Sequence, residues 1–96
     1  MFEQEVTITA PNGLQMRAVT ELVTAAKTFT STMSLTEPSG RNASLRRPLD
    51  LLGLGLKKDS VVTIQADGAD AKAAVDCIVQ LLQHIAQRET AEGESE

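Results

Sequence analysis

The chain is poor in aromatic rings, in cysteine and in long apolar runs. Of its 96 residues only Phe2 and Phe29 are aromatic, with no Tyr or Trp. The core must therefore be built from Leu, Val, Ile, Ala and Met, and there are few rings on which nucleic-acid bases could stack. A formal net charge of −4 points the same way, because nucleic-acid binding draws on a basic surface that displaces counterions. The single cysteine, Cys77, permits no internal disulfide and fits a reducing compartment. No apolar run approaches the length of a membrane-spanning helix, and the N-terminus lacks a basic, apolar signal pattern. Neither ligand spacing for a metal nor a glycine-rich phosphate cradle is present, so no metal and no cofactor is expected. These absences leave a soluble cytoplasmic protein, without nucleic-acid binding or membrane insertion, and expected to be a monomer.

What is present is a regular change of period. Phe2 to Thr9 alternates, with Phe2, Gln4, Val6 and Ile8 on one side and Glu3, Glu5, Thr7 and Thr9 on the other, as in a half-buried strand. Ala10-Pro11-Asn12-Gly13 is turn chemistry. From Met16 the spacing becomes helical, with Val19, Leu22, Val23 and Ala26 as the inner stripe and Met16, Thr20, Thr24 and Lys27 on another side. Phe29 to Thr36 and Arg41 to Leu45 read as strands around the turn Glu37 to Gly40. The second is polar enough for a sheet edge. Pro48 opens a short helix, Pro48 to Leu52. Ser60 to Ala66 alternates again, and Asp70 is placed to N-cap a long final helix striped by Ala71, Ala74, Val75, Ile78, Leu81, Leu82 and Ile85. Asp67, Asp70 and Glu3 read as turn, cap and surface residues, not as a cation site. The chain divides into one domain, residues 1–87, and an acidic tail, 88–96, expected to be disordered. Strands with one apolar face and helices with one apolar stripe imply an α+β fold of two layers, an antiparallel sheet with all helices on one side.

The stretch Asn12-Gly13-Leu14-Gln15-Met16-Arg17 joins the first strand to the first helix. The first N–H groups of a helix lack internal partners and its dipole is positive there, so such a corner attracts anions. Met16 and Arg17 are the candidate anion-binding residues. Gln15, Met16 and Leu14 offer no nucleophile and no proton shuttle.

Several runs resemble the HPr family, the histidine-containing phosphocarriers of the bacterial phosphoenolpyruvate-dependent sugar phosphotransferase system. They are EVTITAPNGL at Glu5 to Leu14 with Arg17 beyond it, AAKTFTS at Ala25 to Ser31, and LGLGLKKDSVVTIQADGADA at Leu52 to Ala71. The resemblance spans about residues 1–87. It implies an open-faced β-sandwich of βαββαβα order, with a four-stranded antiparallel sheet in order 1-4-2-3 under three helices. It also implies a phosphoryl-accepting histidine after Gly-Leu, in a motif Gly-Leu-His-x-Arg-Pro. In this sequence Gln15 stands at the histidine position, Arg17 matches and Ala18 replaces the proline. Crh, a relative of HPr, resembles this chain in carrying glutamine there. A carboxamide nitrogen lone pair is delocalised into its carbonyl, so Gln15 cannot form the phosphoramidate that imidazole forms. His84, late in the last helix, reads as a surface or boundary residue. The regulatory serine of many family members falls at Arg47, which leaves no regulatory phosphosite.

In the family, partners dock on an apolar patch of the first and short helices ringed by basic residues. The matching partner-binding positions are Gln15, Met16, Arg17, Thr20, Lys27, Arg46, Arg47, Pro48, Leu49 and Leu52. The expected function is a binding or regulatory module that docks on enzyme I, sugar-specific phosphotransferase proteins or a regulator, and is not an enzyme. The alternative is a phosphocarrier using another acceptor residue, or an inactivated or engineered one.

Overall fold

A computed structural model describes the backbone of residues 1–94 and the side chains of residues 1–88. Seven elements follow in order: β1 (Phe2–Thr7), α1 (Met16–Ala26), β2 (Thr32–Thr36), β3 (Asn42–Ser44), α2 (Pro48–Gly53), β4 (Val61–Asp67) and α3 (Ala71–Glu94). The strands form one antiparallel sheet in the order β1-β4-β2-β3.

Register explains the two layers. Val6 lies opposite Val62 and Phe2 opposite Ala66, while Ile64 and Ala66 of β4 face Leu35 and Met33 of β2. Ile64, Leu35, Val62, Ala66 and Met33 are all buried. One residue along, the row Glu3, Gln65, Ser34 and Ser44 crosses all four strands on the other face. That row is polar and internally bonded, with Ser34 Oγ and Thr36 Oγ1 donating to Gln65 Oε1 at 3.2 and 3.0 Å, and Gln65 Nε2 to Glu3 at 3.1 Å. Side chains alternate across a strand, so one face takes the aliphatic residues under the helices and the other stays open.

The helices close the core as their stripes predict. Val19, Leu22, Val23 and Ala26 of α1 are buried, joined by Ala18. From α3, Ala71, Ala74, Val75, Ile78, Leu82 and Ile85 are buried and Leu81 packs partly against them. Leu51 carries the burial of α2.

The differences from expectation that exceed one residue, or that change the role of a side chain, each have a local reason. Strand β2 begins at Thr32, not Phe29, because the chain leaving α1 keeps turning, with Thr28 N–H on Ala25 and Phe29 N–H on Ala26. The Thr30 and Ser31 N–H groups are then taken by the Asp70 carboxylate at 2.9 Å each, and the Ser31 hydroxyl also donates to it. Asp70 therefore holds the N-cap position of α3 only through its carbonyl, which accepts Ala74 N–H at 2.9 Å. Its side chain ties α3 to the start of β2 instead of capping the helix. Strand β1 ends at Thr7, although Ile8 still donates to Ser60 and accepts from Asp59, whose φ of 74° bends the opposing chain. Finally, α3 does not stop at Gln87. Its backbone is helical to Glu94, so residues 88–94, expected to be disordered, are helical, while 95–96 lie outside the described residues.

Candidate functional site

The corner before α1 is built on Gly13. Its φ is +66°, and a Cβ there would overlap the Leu56 carbonyl oxygen and come within 2.8 Å of the Lys57 Cα. Only glycine meets both demands. The close approach lets Leu14 N–H donate to the Leu56 carbonyl at 3.2 Å, and Leu14 is buried. The loop between α2 and β4 thus fixes where α1 starts.

Gln15 is the N-cap of α1, exposed and extended (φ −94°, ψ 175°). Its carbonyl accepts Val19 N–H at 2.9 Å, but its side chain makes no capping hydrogen bond, and the first turn holds no acidic residue. Gln15 is thus exposed at a helix end whose leading N–H groups lack partners within the helix.

Arg17 sits in that first turn with its side chain 66% exposed and its Nε 3.8 Å from Glu21 Oε1. A cation is mildly unfavourable at a helix N-terminus, and a carboxylate one turn on offsets it. The same Glu21 oxygen accepts from Arg88 Nη1 at 2.9 Å. Sequence reasoning missed both partners. The i, i+4 spacing of Arg17 and Glu21 was visible, whereas Arg88 reaches Glu21 from 67 residues away and leaves no local trace.

Met16 at 51% and Leu49 at 74% exposure are, with Met1, the exposed large apolar residues among those described. Leu49 and Pro48 border a shallow depression of about 330 Å³ with Arg46, Arg47 and Asp50. Leu52 packs partly against the core. Arg47 is the N-cap of α2, with no side-chain capping bond and Pro48 next to it. Thr20 is exposed, its hydroxyl bonded back to the Met16 carbonyl at 2.9 Å. Lys27 caps the far end of α1, and Arg46 donates to the Phe29 carbonyl at 3.3 Å just beyond it. The predicted rim is therefore split, with Arg17 at the start of α1 and Lys27 and Arg46 at its end. His84 is exposed on α3. Among the described residues, no group of three or more His, Cys, Asp or Glu side chains could hold a metal, and no helix is long and apolar enough to cross a membrane.

The family model for the HPr component phosphorylation site of the phosphotransferase system matches residues 2–84. The chain belongs to the HPr family. The phosphocarrier protein HPr of Vibrio cholerae is 41% identical over 85 residues, covering 88% of this chain and 99% of that one. HPr of Haemophilus influenzae is 37% identical over 82 residues, covering 85% and 95%. Among solved structures, the histidine-containing phosphocarrier protein of a mycoplasma superposes with a TM-score of 0.83 at 27% identity, covering 88% of this chain and 96% of that one. Crh of Bacillus subtilis superposes with a TM-score of 0.70, also at 27% identity, covering 90% and 98%. The HPr fold, with its sheet order and three helices, is thus common to this chain and its neighbours, and the HPr family is one of phosphocarriers of the phosphotransferase system.

Proposed function

We propose that this HPr-family chain is a docking module of the phosphotransferase system that binds HPr partners, enzyme I foremost, without carrying a phosphoryl group. One observation carries the reading: the exposed N-cap of α1, directly after Gly13 and Leu14, is the amide of Gln15. It stands where the family keeps its phosphoryl-accepting imidazole, and an amide there is neither nucleophile nor base. The corner keeps the means to meet an anion reversibly, through Arg17 and the N–H groups of Met16 and Arg17.

Around it, the exposed Met16 and Leu49, with Pro48, Leu52 and Thr20, supply an adaptable apolar centre. Arg17, Lys27, Arg46 and Arg47 supply cations that steer an acidic partner. With Arg47 at the N-cap of α2, the position of the family's regulatory serine offers no hydroxyl, so the module is not switched there. The protein works in the cytoplasm as a monomer. Sizing chromatography checks the latter, since the Crh structure is described as a dimer with a swapped domain.

The test is incubation with enzyme I, magnesium and phosphoenolpyruvate, followed by mass spectrometry under conditions that keep acid-labile phosphoramidates. No phosphoryl adduct, together with binding to enzyme I seen by amide shift changes in α1 and α2, supports the docking module. Stoichiometric transfer would instead establish a phosphocarrier with another acceptor. That reading has the phosphocarrier names of the relatives and the exposed His84 in its favour.

A further inference from the structure

We propose that the acidic segment 89–96 screens the start of α1, so that an acidic partner must displace it to reach the docking corner. The inference rests on the reading of that corner as anion-facing and names how access to it is regulated. The chain holds nine basic and thirteen acidic residues. Four of the acidic ones are Glu89, Glu92, Glu94 and Glu96, with no Lys or Arg among them. Residues 1–88 therefore balance at nine of each sign, and the whole net charge of −4 resides in segment 89–96. The family match ends at residue 84, and the 85 residues matched in the Vibrio cholerae relative are 99% of its length. The segment is thus an addition to the shared fold.

Topology brings this addition to the corner. Strands β1 and β2 both pair antiparallel with β4, so they run the same way, and α1, which joins them, runs back against both. Helix α3 follows β4 and packs on β4, β1 and α1, so it runs back against β4 and hence opposite to α1. Arg88 Nη1 lies 2.9 Å from Glu21 Oε1, which marks where the two helices stand side by side. From there each residue added to α3 advances about 1.5 Å towards the start of α1. Arg17 precedes Glu21 by one turn, so the α3 backbone reaches its level near residue 92. It passes the level of Gln15 by Glu94, where the described helix ends. The Arg88–Glu21 contact serves here only as a marker of register, and neither arginine need lack other partners. The first turn of α1 holds no acidic residue, so its leading N–H groups and positive dipole end meet no carboxylate from their own first turn. Four carboxylates tethered beside them compete with an incoming anion at an effective concentration in the millimolar range.

The experiment compares the full chain with the quadruple variant Glu89→Gln/Glu92→Gln/Glu94→Gln/Glu96→Gln. A control, Glu3→Gln/Glu5→Gln/Asp67→Asn, removes charge from the strands β1 and β4 instead. Shifts of the Met16 and Arg17 amides on titration with inorganic phosphate, at constant ionic strength, give the affinity. The quadruple variant should bind phosphate about threefold more tightly, the scale of an exposed ion pair, and the difference should fade at about 1 M salt. The control should stay near the parent. In parallel, a nitroxide on Ser95→Cys, in a Cys77→Ala background, should broaden the Met16 and Arg17 amides of the same molecule. An unchanged affinity in the quadruple variant, a gain of equal size in the control, or no broadening would each overturn the screen alone. Broadening seen only between molecules, in a mixture of spin-labelled and isotope-labelled chains, would overturn it in favour of a second copy. Phosphate that moves neither amide even in the quadruple variant would overturn the anion-facing reading, and the screen with it. A threefold gain without any binding of enzyme I would uphold the screen and overturn only the choice of partner.

Discussion

Replacing Gly13 by alanine tests whether the corner is held as described, and its cost can be worked from two features. The φ of +66° puts an L-residue in the left-handed region, at about 1–2 kcal/mol. The new Cβ would overlap the Leu56 carbonyl oxygen and crowd the Lys57 Cα. Both are backbone atoms, so the strand-to-helix turn must move and the Leu14–Leu56 bond is lost, at about 0.5–1.5 kcal/mol net. The sum, about 2–3 kcal/mol, corresponds for a domain of this size to a fall in Tm of roughly 10–20 °C. Gly55 supplies the control. Its φ is +62° but nothing lies within 4 Å of its Cβ position, so Gly55→Ala carries the conformational cost alone. Urea and thermal unfolding of both variants, with amide spectra of Leu14 to Arg17, separate the contributions. If Gly13→Ala were no more costly than Gly55→Ala, the close approach that seats α1 would be wrong.

Other perturbations follow from the same geometry. Asp70 has its carboxyl held at about 2 instead of the usual 3.8, first by the Ser31 hydroxyl and then by the Thr30 N–H. Its folded-state value is depressed, so the stability it contributes is complete above about pH 4 and is lost as pH falls towards 2. Asp70→Asn should flatten unfolding curves across that window, and an unchanged acid limb would remove the linkage. Leu49→Asp should weaken enzyme I binding with little change in stability, whereas Leu51→Ala should lower stability by about 2–4 kcal/mol. Equal stability losses at the two sites would contradict their opposite exposures. Gln15→His should restore little phosphoryl transfer from enzyme I, because Met16 and Ala18 also alter the helix start. Rapid labelling of that single variant would show the neighbours to be unimportant.

Most of the fold was legible because its signals are local. The alternation in Val62, Ile64 and Ala66, the stripe Val19, Leu22, Val23 and Ala26, and proline at the first turn of α2 each follow from nearby residues. Misplaced boundaries occur where a distant group intervenes. An aspartate ahead of a helix reads as its cap, and nothing near Asp70 in sequence announces that Thr30 and Ser31 will claim its carboxylate. Charge and low hydropathy alone argue against a continuation of α3 past Gln87. Yet Arg88, Glu89, Ala91, Glu92 and Glu94 are good helix formers, and Arg88 finds an anchor on Glu21 in another helix. At the site, the order of Gln15, Met16 and Arg17 could be read directly. The exposure of Leu49 against the burial of Leu51 could not, since both belong to the same short apolar run.

The division of the cations between the two ends of α1 acts as a ruler. Ten steps along the helix carry the chain from Arg17 to Lys27, about 15 Å along the axis at 1.5 Å per residue. A lone phosphate spans only a fraction of that length and can answer one end at a time. A ligand that engages Arg17 together with Lys27 and Arg46 must itself be extended and bear negative charge at both extremities, as a three-turn acidic helix laid alongside α1 would.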